Sequence, residues 1–314
     1  MSVEAAEVSL KVRGTLRRHL KGRCFVAGQG IEDVSDTALF VAHYRALEGE
    51  RPDALFKDPL AARLAGERGR RIGESMQSAT LGGWSIVIRT VIIDRFIDAA
   101  VAQGVDTVLN LGAGLDTRPY RMELPVGLRW IEVDYPRMIE LKERELAGET
   151  PHCRLERIKL DLADAPARRS FFGALAAEKL LVLTEGVVPY LPNEQVAELA
   201  ADLRGIGAAW WIVDYFAPGL GKMRERIGLT KHLRNAPFRF QPGDWFAFFE
   251  RAGWRCREIR YIPEEARRLR RRPQMSLLRL LRFLVRNALM DKEQREAARR
   301  FMGYALLEPM SKSA

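Results

Sequence analysis

The stretch that most constrains the fold of this chain is residues 106–120, which read DTVLNLGAGLDTRPY. A run of leucine and β-branched residues ends in two glycines, and residues that suit the start of a helix follow. Glycine lets the backbone turn tightly at Gly112 and Gly114 and approach a ligand without a Cβ in the way. The following helix would aim free N–H groups at the same place. The stretch predicts either a cradle for a nucleotide-containing cofactor or an ordinary structural turn.

The residues around the two glycines narrow the choice of cofactor. A dinucleotide site normally carries a third glycine, in the pattern GxGxxG, where this chain has Thr117. Asp116 adds an acid beside the loop, where it would repel a pyrophosphate. A cofactor with a cationic end and no phosphate fits better, and S-adenosylmethionine, which carries a sulfonium, is such a molecule. A nicotinamide cofactor is disfavoured on the same grounds.

Acidic residues follow three further predicted strands. Asp134 comes about twenty residues after the glycines, the spacing at which a carboxylate can bind ribose hydroxyls. Asp161 could accept a hydrogen bond from an adenine amino group, beside an apolar wall at Leu162, and Glu185 ends the fourth strand. Any one of these acids could instead be a solvated helix cap. Because parallel strands present their carboxyl ends to one crevice, four such endings together favour a shared site.

Arg89 stands in an otherwise apolar run at residues 86–93. An unpaired guanidinium there would be costly, so an anionic partner is expected. That partner is either a structural salt bridge or a bound carboxylate.

The order of predicted elements indicates one α/β domain with a doubly wound parallel sheet. The predicted strands lie at 106–111, 128–133, 155–160, 180–184, 208–216, 256–262 and 302–307. The predicted organisation is a basic N-terminal extension at 1–30 and a single domain at 31–314, divided into a helical cap at 31–104, a core sheet at 105–262, a basic helical insertion at 263–298 and a last strand at 299–314.

Composition and cysteine usage set further limits. Cys24, Cys153 and Cys256 are scattered without a CxxC pair or a suitably spaced histidine, which predicts neither a disulfide framework nor a metal site. The first residues lack a signal-peptide pattern, and no apolar stretch reaches the roughly twenty residues that a membrane span needs. The sequence therefore predicts a cytoplasmic protein without a bound metal.

The chain carries a formal net charge of +10, concentrated at residues 11–23 and 267–286. In the second stretch arginines alternate with apolar residues at helical spacing. Such a helix could lie on a membrane surface, cover the active site, or be an Arg-rich surface helix without a partner. Nucleic-acid binding is disfavoured because no pattern of base-stacking aromatic residues interleaves these arginines. The sequence predicts no particular oligomeric state.

Several segments resemble the leucine carboxyl methyltransferase family, which includes bacterial S-adenosylmethionine-dependent methyltransferases and polyketide O-methyltransferases. The most specific segment is LGAGLDTR at 111–118; the others are SDTA at 35–38, YRALE at 44–48, DALFKDP at 53–59, RT at 89–90, EVD at 132–134 and EGVVPYLP at 185–192. They occur in the family's order from about residue 35 to 215. The resemblance implies a class I methyltransferase fold whose sheet is closed by an antiparallel pair of strands.

The resemblance also implies roles for individual residues. Arg89 would bind the methionine carboxylate, Gly112 would line the cofactor with its backbone, Asp134 would bind the ribose, Asp161 and Leu162 would bracket the adenine, and Glu185 would lie near the methionine amino group. The lid and acceptor pocket are expected in the N-terminal helical region, which includes Thr37 and Tyr44. Tyr190 either faces the acceptor or packs in the core.

The predicted function is S-adenosylmethionine-dependent O-methylation of a carboxylate or phenol on a small-molecule acceptor, such as a polyketide of secondary metabolism. A protein C-terminal carboxylate, a non-catalytic cofactor-binding scaffold and a nicotinamide-dependent oxidoreductase remain as alternatives. No catalytic residue is assigned, since a carboxylate acceptor needs no general base whereas a phenol would benefit from one. His43 and His232 are either such a base or packed and surface residues.

Overall fold

A computed structural model of the chain describes residues 34–75, 80–218, 238–273 and 289–311, and five residues between 277 and 285. The predicted N-terminal extension, Cys24 and His232 lie outside the described residues. No helix within the described residues is both long enough and apolar enough to cross a membrane.

The described strands form one seven-stranded sheet in the order β3-β2-β1-β4-β5-β7-β6. They are β1 (Thr107–Leu111), β2 (Arg129–Asp134), β3 (Arg154–Lys159), β4 (Leu180–Thr184), β5 (Trp210–Phe216), β6 (Trp254–Tyr261) and β7 (Met302–Pro309). The first five are parallel, and β7 runs antiparallel between β5 and β6. The predicted doubly wound fold with an antiparallel pair at one end is confirmed. The reversed strand, β7, lies one position in from the edge, and β6 is the edge strand.

Helices precede the sheet and cover both of its faces. They are α1 (Val34–Gly49), α2 (Ala61–Ser75), α3 (Thr80–Ala102), α4 (Arg118–Arg121), α5 (Pro136–Glu145), α6 (Ala165–Gly173), α7 (Asn193–Gly205), α8 (Trp245–Arg251), α9 (Ile262–Arg268) and α10 (Lys292–Arg299), with a 3₁₀ turn at Val188–Tyr190. Local signals fix several helix starts. Asp164 and Asp244 cap α6 and α8 by accepting hydrogen bonds from backbone N–H groups in the first turn.

The central strand β1 is buried along its whole length, because helices pack on both faces of a parallel sheet. Its side chains alternate between the two cores. Val108 packs with α3 and α9, whereas Leu109 and Leu111 pack on the opposite face with α7 and α8. The apolar run that the sequence shows here is therefore a strand shielded on both sides.

The strand order creates one crevice at the carboxyl ends of the strands. The chain leaves β1 towards β2 and leaves β4 towards β5, so the connections diverge between these two neighbouring strands. Ligands of open α/β sheets bind at such a switch point. Helices α1 and α2 pack over this end, where Ala42 and Leu64 share one hydrophobic cluster with Leu115 and Met138. The switch point therefore lies beneath the N-terminal helices.

Candidate active site

A cavity of about 250 Å³ lies at the carboxyl ends of the first four strands. Its lining includes every residue that the sequence predicted for cofactor binding, namely Arg89, Gly112, Gly114, Asp134, Asp161, Leu162 and Glu185. Thr37, Ala38, Val41 and Arg45 of α1 line it from above. The cavity therefore sits between the sheet and the N-terminal helices.

The two glycines after β1 both adopt left-handed backbone conformations, with φ of 68° at Gly112 and 50° at Gly114. A side chain in this region is strained, so the turn favours glycine. A Cβ on Gly112 would also collide with Cγ2 of Val187, in the loop after β4. Gly112 thus lets the loops after β1 and β4 approach each other on the cavity wall.

Asp134 is held at the end of β2 by two backbone N–H groups. Its Oδ2 accepts from Gly114 N at 2.6 Å and its Oδ1 from Tyr135 N at 2.7 Å. Burial raises the pKa of Asp134 above its ordinary value, although both hydrogen bonds oppose this shift. Each carboxylate oxygen has a second lone pair available to a ligand. The carboxylate is therefore fixed against the glycine loop before any ligand binds.

Arg89 meets Glu185 on the cavity wall, with 2.9 Å between Nε and Oε1. The contact is an ion pair, but Nε is buried and makes no hydrogen bond. Burial lowers the pKa of Arg89, but the charges of Glu185 and Asp214 together with two nearby tyrosines outweigh burial and raise it above its usual value. Of the two partners that the sequence left open, the structural ion pair exists. The unsatisfied Nε–H leaves Arg89 with bonding capacity for a ligand.

Thr37 provides a second unsatisfied group on the same cavity. Its Oγ1 is buried without a hydrogen-bond partner, like Nε of Arg89. Buried polar atoms in folded proteins are nearly always hydrogen-bonded. These two atoms on the lining of one cavity are available to hydrogen-bond a polar ligand.

Asp116 does not present an uncompensated charge beside the loop. It is buried, pairs with Nη1 of Arg118 at 2.8 Å and accepts from Asn110 Nδ2 at 2.9 Å. Burial would raise the pKa of Asp116, but Arg118 and other cations hold it well below its ordinary value. The same Arg118 also reaches Asp94 at 2.7 Å and Glu185 at 2.9 Å. Arg118 thus joins helix α3, the glycine loop and the end of β4.

Thr117, at the position of the missing third glycine, connects the loop to the N-terminal region. Its hydroxyl donates to Oδ2 of Asp58 at 2.7 Å, and the same oxygen accepts from Nε of Arg45 at 2.9 Å. Both carboxylate and guanidinium are buried. A hydroxyl here therefore fixes the N-terminal helices over the cavity, a role that glycine could not fill.

A buried acid that the sequence analysis missed lies behind the site. Asp214 on β5 accepts from Tyr304 Oη at 2.7 Å and from Gly186 N at 3.0 Å. Burial raises the pKa of Asp214 to about 6, although these hydrogen bonds oppose the shift. The available signal was an acid inside the apolar strand WWIVDYF, the argument already applied to Arg89. Asp214 fixes Gly186, which lines the cavity.

The two residues that the resemblance assigns to adenine, Asp161 and Leu162, also line the cavity. Asp161 is exposed, and its Oδ1 accepts from Ala163 N at 2.9 Å, so it also acts as a local cap. The carbonyl of Leu162 accepts from Arg168 Nη1 at 2.6 Å. Both residues remain on the cavity lining, and their contact with adenine stays a prediction.

The two tyrosines predicted for acceptor binding are placed differently. Tyr190 lines the cavity, and its ring packs edge-on against Phe238 with 5.5 Å between centroids. Tyr44 is not among the lining residues. Its ring packs against Phe40 and His43, with centroids 4.9 and 5.5 Å apart. The structure thus brings Tyr190, but not Tyr44, to the cavity.

His43 belongs to the same packed group as Tyr44 and does not line the cavity. Burial lowers the pKa of His43. Within the described residues, no cluster of three or more histidine, cysteine or acidic side chains is placed to hold a metal.

The family profile named leucine carboxyl methyltransferase matches residues 38–204. The chain belongs to this family. Membership confirms the resemblance found in the sequence, and the relatives described next confirm the S-adenosylmethionine cofactor. The matched region contains the glycine loop and all the strand ends that line the cavity.

Curated relatives support the assignment. A protein of Streptomyces coelicolor named "Putative S-adenosyl-L-methionine-dependent methyltransferase" is 39% identical over 66% of this chain and 72% of its own length. One of Mycolicibacterium paratuberculosis with the same description is 32% identical over 75% of this chain and 84% of its own length. The similarity thus extends over most of each protein, and the chain is a methyltransferase by family.

Solved structures share the fold at low sequence identity. A DUF574 family protein from Streptomyces avermitilis superposes with a TM-score of 0.55 at 15% identity, over 87% of this chain and 97% of the other. A methyltransferase-like protein from Thermobifida fusca gives 0.50 at 14% identity, over 80% and 93%. These likenesses support the architecture and carry nothing about the acceptor.

Proposed function

We propose that this methyltransferase transfers the methyl group of S-adenosylmethionine to an oxygen of a small-molecule acceptor, a carboxylate or a phenol, such as a polyketide of secondary metabolism. The family name supports an oxygen acceptor. One observation carries the cofactor part of the proposal: Arg89 and Glu185 place opposite charges 2.9 Å apart on the cavity that Asp134 also lines. An amino-acid end with its ammonium and carboxylate needs such a pair of charges, and a ribose needs a fixed carboxylate. The cavity offers both to one ligand.

The lining residues suit the parts of this cofactor. In our proposal Arg89 binds the methionine carboxylate through its unsatisfied N–H, and Glu185 accepts from the amino group. Asp134 accepts from the ribose hydroxyls with the lone pairs that its backbone donors leave free. Gly112 and Gly114 allow close backbone approach, and Asp161 and Leu162 bracket the adenine.

When bound, the cofactor supplies an electrophilic methyl group on a cationic sulfur. The task of the chain is then to position the acceptor oxygen in line and to exclude water. A carboxylate acceptor is already ionised at neutral pH and needs no proton removed. A phenol, with a pKa of about 10, would benefit from a base. The family name makes a carboxylate the first acceptor to test.

Tyr190 is the side chain we assign to the acceptor side, because it lines the cavity at the end of the 3₁₀ turn that follows Glu185 and Gly186. Its hydroxyl can donate to an acceptor oxygen. We retain Tyr44 only as a residue that supports the N-terminal helices, in view of its packing against Phe40. We also propose that the protein works in the cytoplasm, where free thiols such as Cys153 and Cys256 persist.

Incubation with methyl-labelled S-adenosylmethionine and a panel of acceptors tests the proposal. The panel should hold aliphatic and aromatic carboxylic acids, phenols and a peptide with a free C-terminal leucine. Mass spectrometry locates the label, and mild alkali separates the products, because methyl esters release methanol and aryl methyl ethers do not. Label on an oxygen of a small molecule is the expected result, and label on the peptide terminus alone would move the assignment to protein carboxyl methylation.

Two outcomes contradict the proposal. Label on nitrogen or carbon excludes O-methylation, and tight cofactor binding without transfer to any acceptor favours a non-catalytic scaffold. Tyr190→Phe and Tyr44→Phe form a matched pair for the acceptor side. The first should raise KM for the acceptor about fivefold, since removing one neutral hydrogen bond costs about 1 kcal/mol, and should leave the Kd for the cofactor unchanged. The second should change neither constant more than about twofold, because Tyr44 does not line the cavity.

A further inference from the structure

An apolar face lies on the described part of the segment between α9 and α10. Leu277, Leu278, Leu281, Val285 and Leu289 are helical and between 51% and 81% exposed. At 3.6 residues per turn these positions fall within an arc of about 120°. Five of the nine exposed large apolar residues in the described part of the chain therefore share one helix face. Such clustering marks an interaction surface, whereas scattered exposed residues do not.

The sequence around this apolar face is strongly basic. Residues 267–290 contain eight arginines and no aspartate or glutamate. Arg282 is helical and exposed beside the apolar arc. Five of these arginines precede the apolar face in sequence, and Arg268 and Arg271 among them pair with acids of the domain. Clusters of four to eight basic residues in an amphipathic segment are the pattern by which proteins recognise anionic lipid headgroups. Each such residue adds attraction to an anionic surface, while the apolar side chains enter the headgroup and acyl boundary.

The positive charge around the apolar face limits which partners could bind to it. Residues 1–33 of the same chain carry six basic and four acidic side chains, and residues 219–237 carry five basic and one acidic, so both segments are net positive. Either segment would be repelled by the arginines, and so would the same face of a second copy. An anionic, apolar partner complements both features at once. We propose that the apolar face at 277–289 docks on the surface of an anionic phospholipid bilayer.

The start of this segment is fixed to the folded domain. The Arg271 side chain is 12% exposed and pairs with Glu48 at the end of α1 at 2.7 Å and with Asp53. The Arg271 carbonyl accepts from Nε1 of Trp84 on α3 at 3.2 Å. A bilayer bound by the apolar face would thus hold the domain through an anchored connection close to α1, the helix that also lines the cavity.

Flotation of the full-length protein with lipid vesicles tests the docking surface. The probes are vesicles of phosphatidylcholine alone and of phosphatidylcholine with phosphatidylglycerol. We expect the wild type to bind the anionic vesicles only. The triple variant Leu277→Gln/Leu281→Gln/Val285→Gln should bind them at least about tenfold more weakly, because the substitutions keep the charge of the segment and remove its apolar contact. Val126→Gln is the matched control, since Val126 is 82% exposed elsewhere on the domain, and it should bind as the wild type does.

Three results would overturn the inference. The first is that the wild type does not bind anionic vesicles, and the second is that the triple variant binds them as well as the wild type does. The third is that sedimentation velocity shows a dimer for the wild type and a monomer for the triple variant. Tighter binding to single-stranded DNA than to the vesicles would also exclude a bilayer as the partner. The Kd for S-adenosylhomocysteine should be the same in all variants, so loss of lipid binding is distinguishable from failure of the methyltransferase proposal.

Discussion

Nε of Arg89 lies 2.9 Å from Oε1 of Glu185, yet it makes no hydrogen bond. Glu185 keeps a second cation, Arg118, at 2.9 Å. Arg89→Met should therefore leave Glu185 paired and remove only the group that we assign to the methionine carboxylate. We expect the Kd for S-adenosylhomocysteine to rise about 10- to 100-fold, since charged hydrogen bonds contribute about 1.5–3 kcal/mol, with the Kd for adenosine unchanged. Isothermal titration calorimetry measures both.

Arg95 on the same helix supplies the control for Arg89. Arg95 pairs with Glu265 at 3.2 Å and its side chain is 45% exposed. Arg95→Met should bind both ligands as the wild type does. If Arg89→Met weakens adenosine and S-adenosylhomocysteine equally, the guanidinium does not contact the amino-acid end and the assignment is wrong.

Asp134→Ala should weaken binding of S-adenosylhomocysteine by one to two orders of magnitude, about 1.5–3 kcal/mol for the lost charged hydrogen bonds. The variant also loses the bonds from Gly114 and Tyr135. Comparing adenosine with its 2′- and 3′-deoxy analogues separates the two effects. The wild type should prefer adenosine, and Asp134→Ala should bind all three alike. A preference that survives the substitution would place the ribose elsewhere.

Strand ends and costly buried charges made much of this site predictable from sequence. Gly112, Asp134 and Glu185 each follow a short apolar run, and parallel strands bring such positions to one edge. Arg89 was found because a guanidinium in an apolar helix needs an anion. These signals are local, so they do not depend on knowing how distant segments pair.

Contacts between distant segments could not be predicted in this way. Asp214 and Tyr304 are directly opposite in the antiparallel register of β5 and β7, and 90 positions separate them in sequence. Thr117 finds Asp58 across 59 positions, through packing of the N-terminal helices. Asp116 seemed to carry a free charge only because its pairing with Arg118 was unknown. Sequence located the site, but these contacts that support it required the structure.

Gly112→Ala should destabilise the fold by at least about 1 kcal/mol, because a left-handed backbone costs an L-residue about 1–2 kcal/mol. The new Cβ must also displace Val187. Adding Val187→Ala should recover the part of the lost unfolding free energy that comes from the steric collision, and should leave the part that comes from the left-handed backbone. Gly127→Ala is the control, since Gly127 has no positive φ and an added Cβ there meets nothing within 4 Å. Urea unfolding measures the four proteins, and equal stability of Gly112→Ala and Gly127→Ala would contradict the argument.

Asp214 should make stability depend on pH. Its pKa is raised from 3.8 to about 6 in the folded protein, so the folded state favours the protonated carboxyl. The resulting contribution to the unfolding free energy is complete below the pKa of Asp214 in the unfolded chain, and it is lost as pH rises through 6. Between pH 5 and 7 the wild type should therefore lose about 1 kcal/mol of unfolding free energy relative to Asp214→Asn. Asn can still accept from Gly186 and Tyr304.

Asp53→Asn provides the comparison for Asp214→Asn, because arginines lower the pKa of Asp53 to about 2 and it does not titrate in this window. The unfolding free energy of Asp53→Asn should change with pH from 5 to 7 in parallel with that of the wild type. The unfolding free energy of Asp214→Asn should change less with pH, so that its curve crosses or approaches the wild-type curve as pH rises. Parallel curves for all three proteins would mean that the Asp214 carboxyl is ionised throughout and that Tyr304 and Gly186 offset the cost of burying its charge.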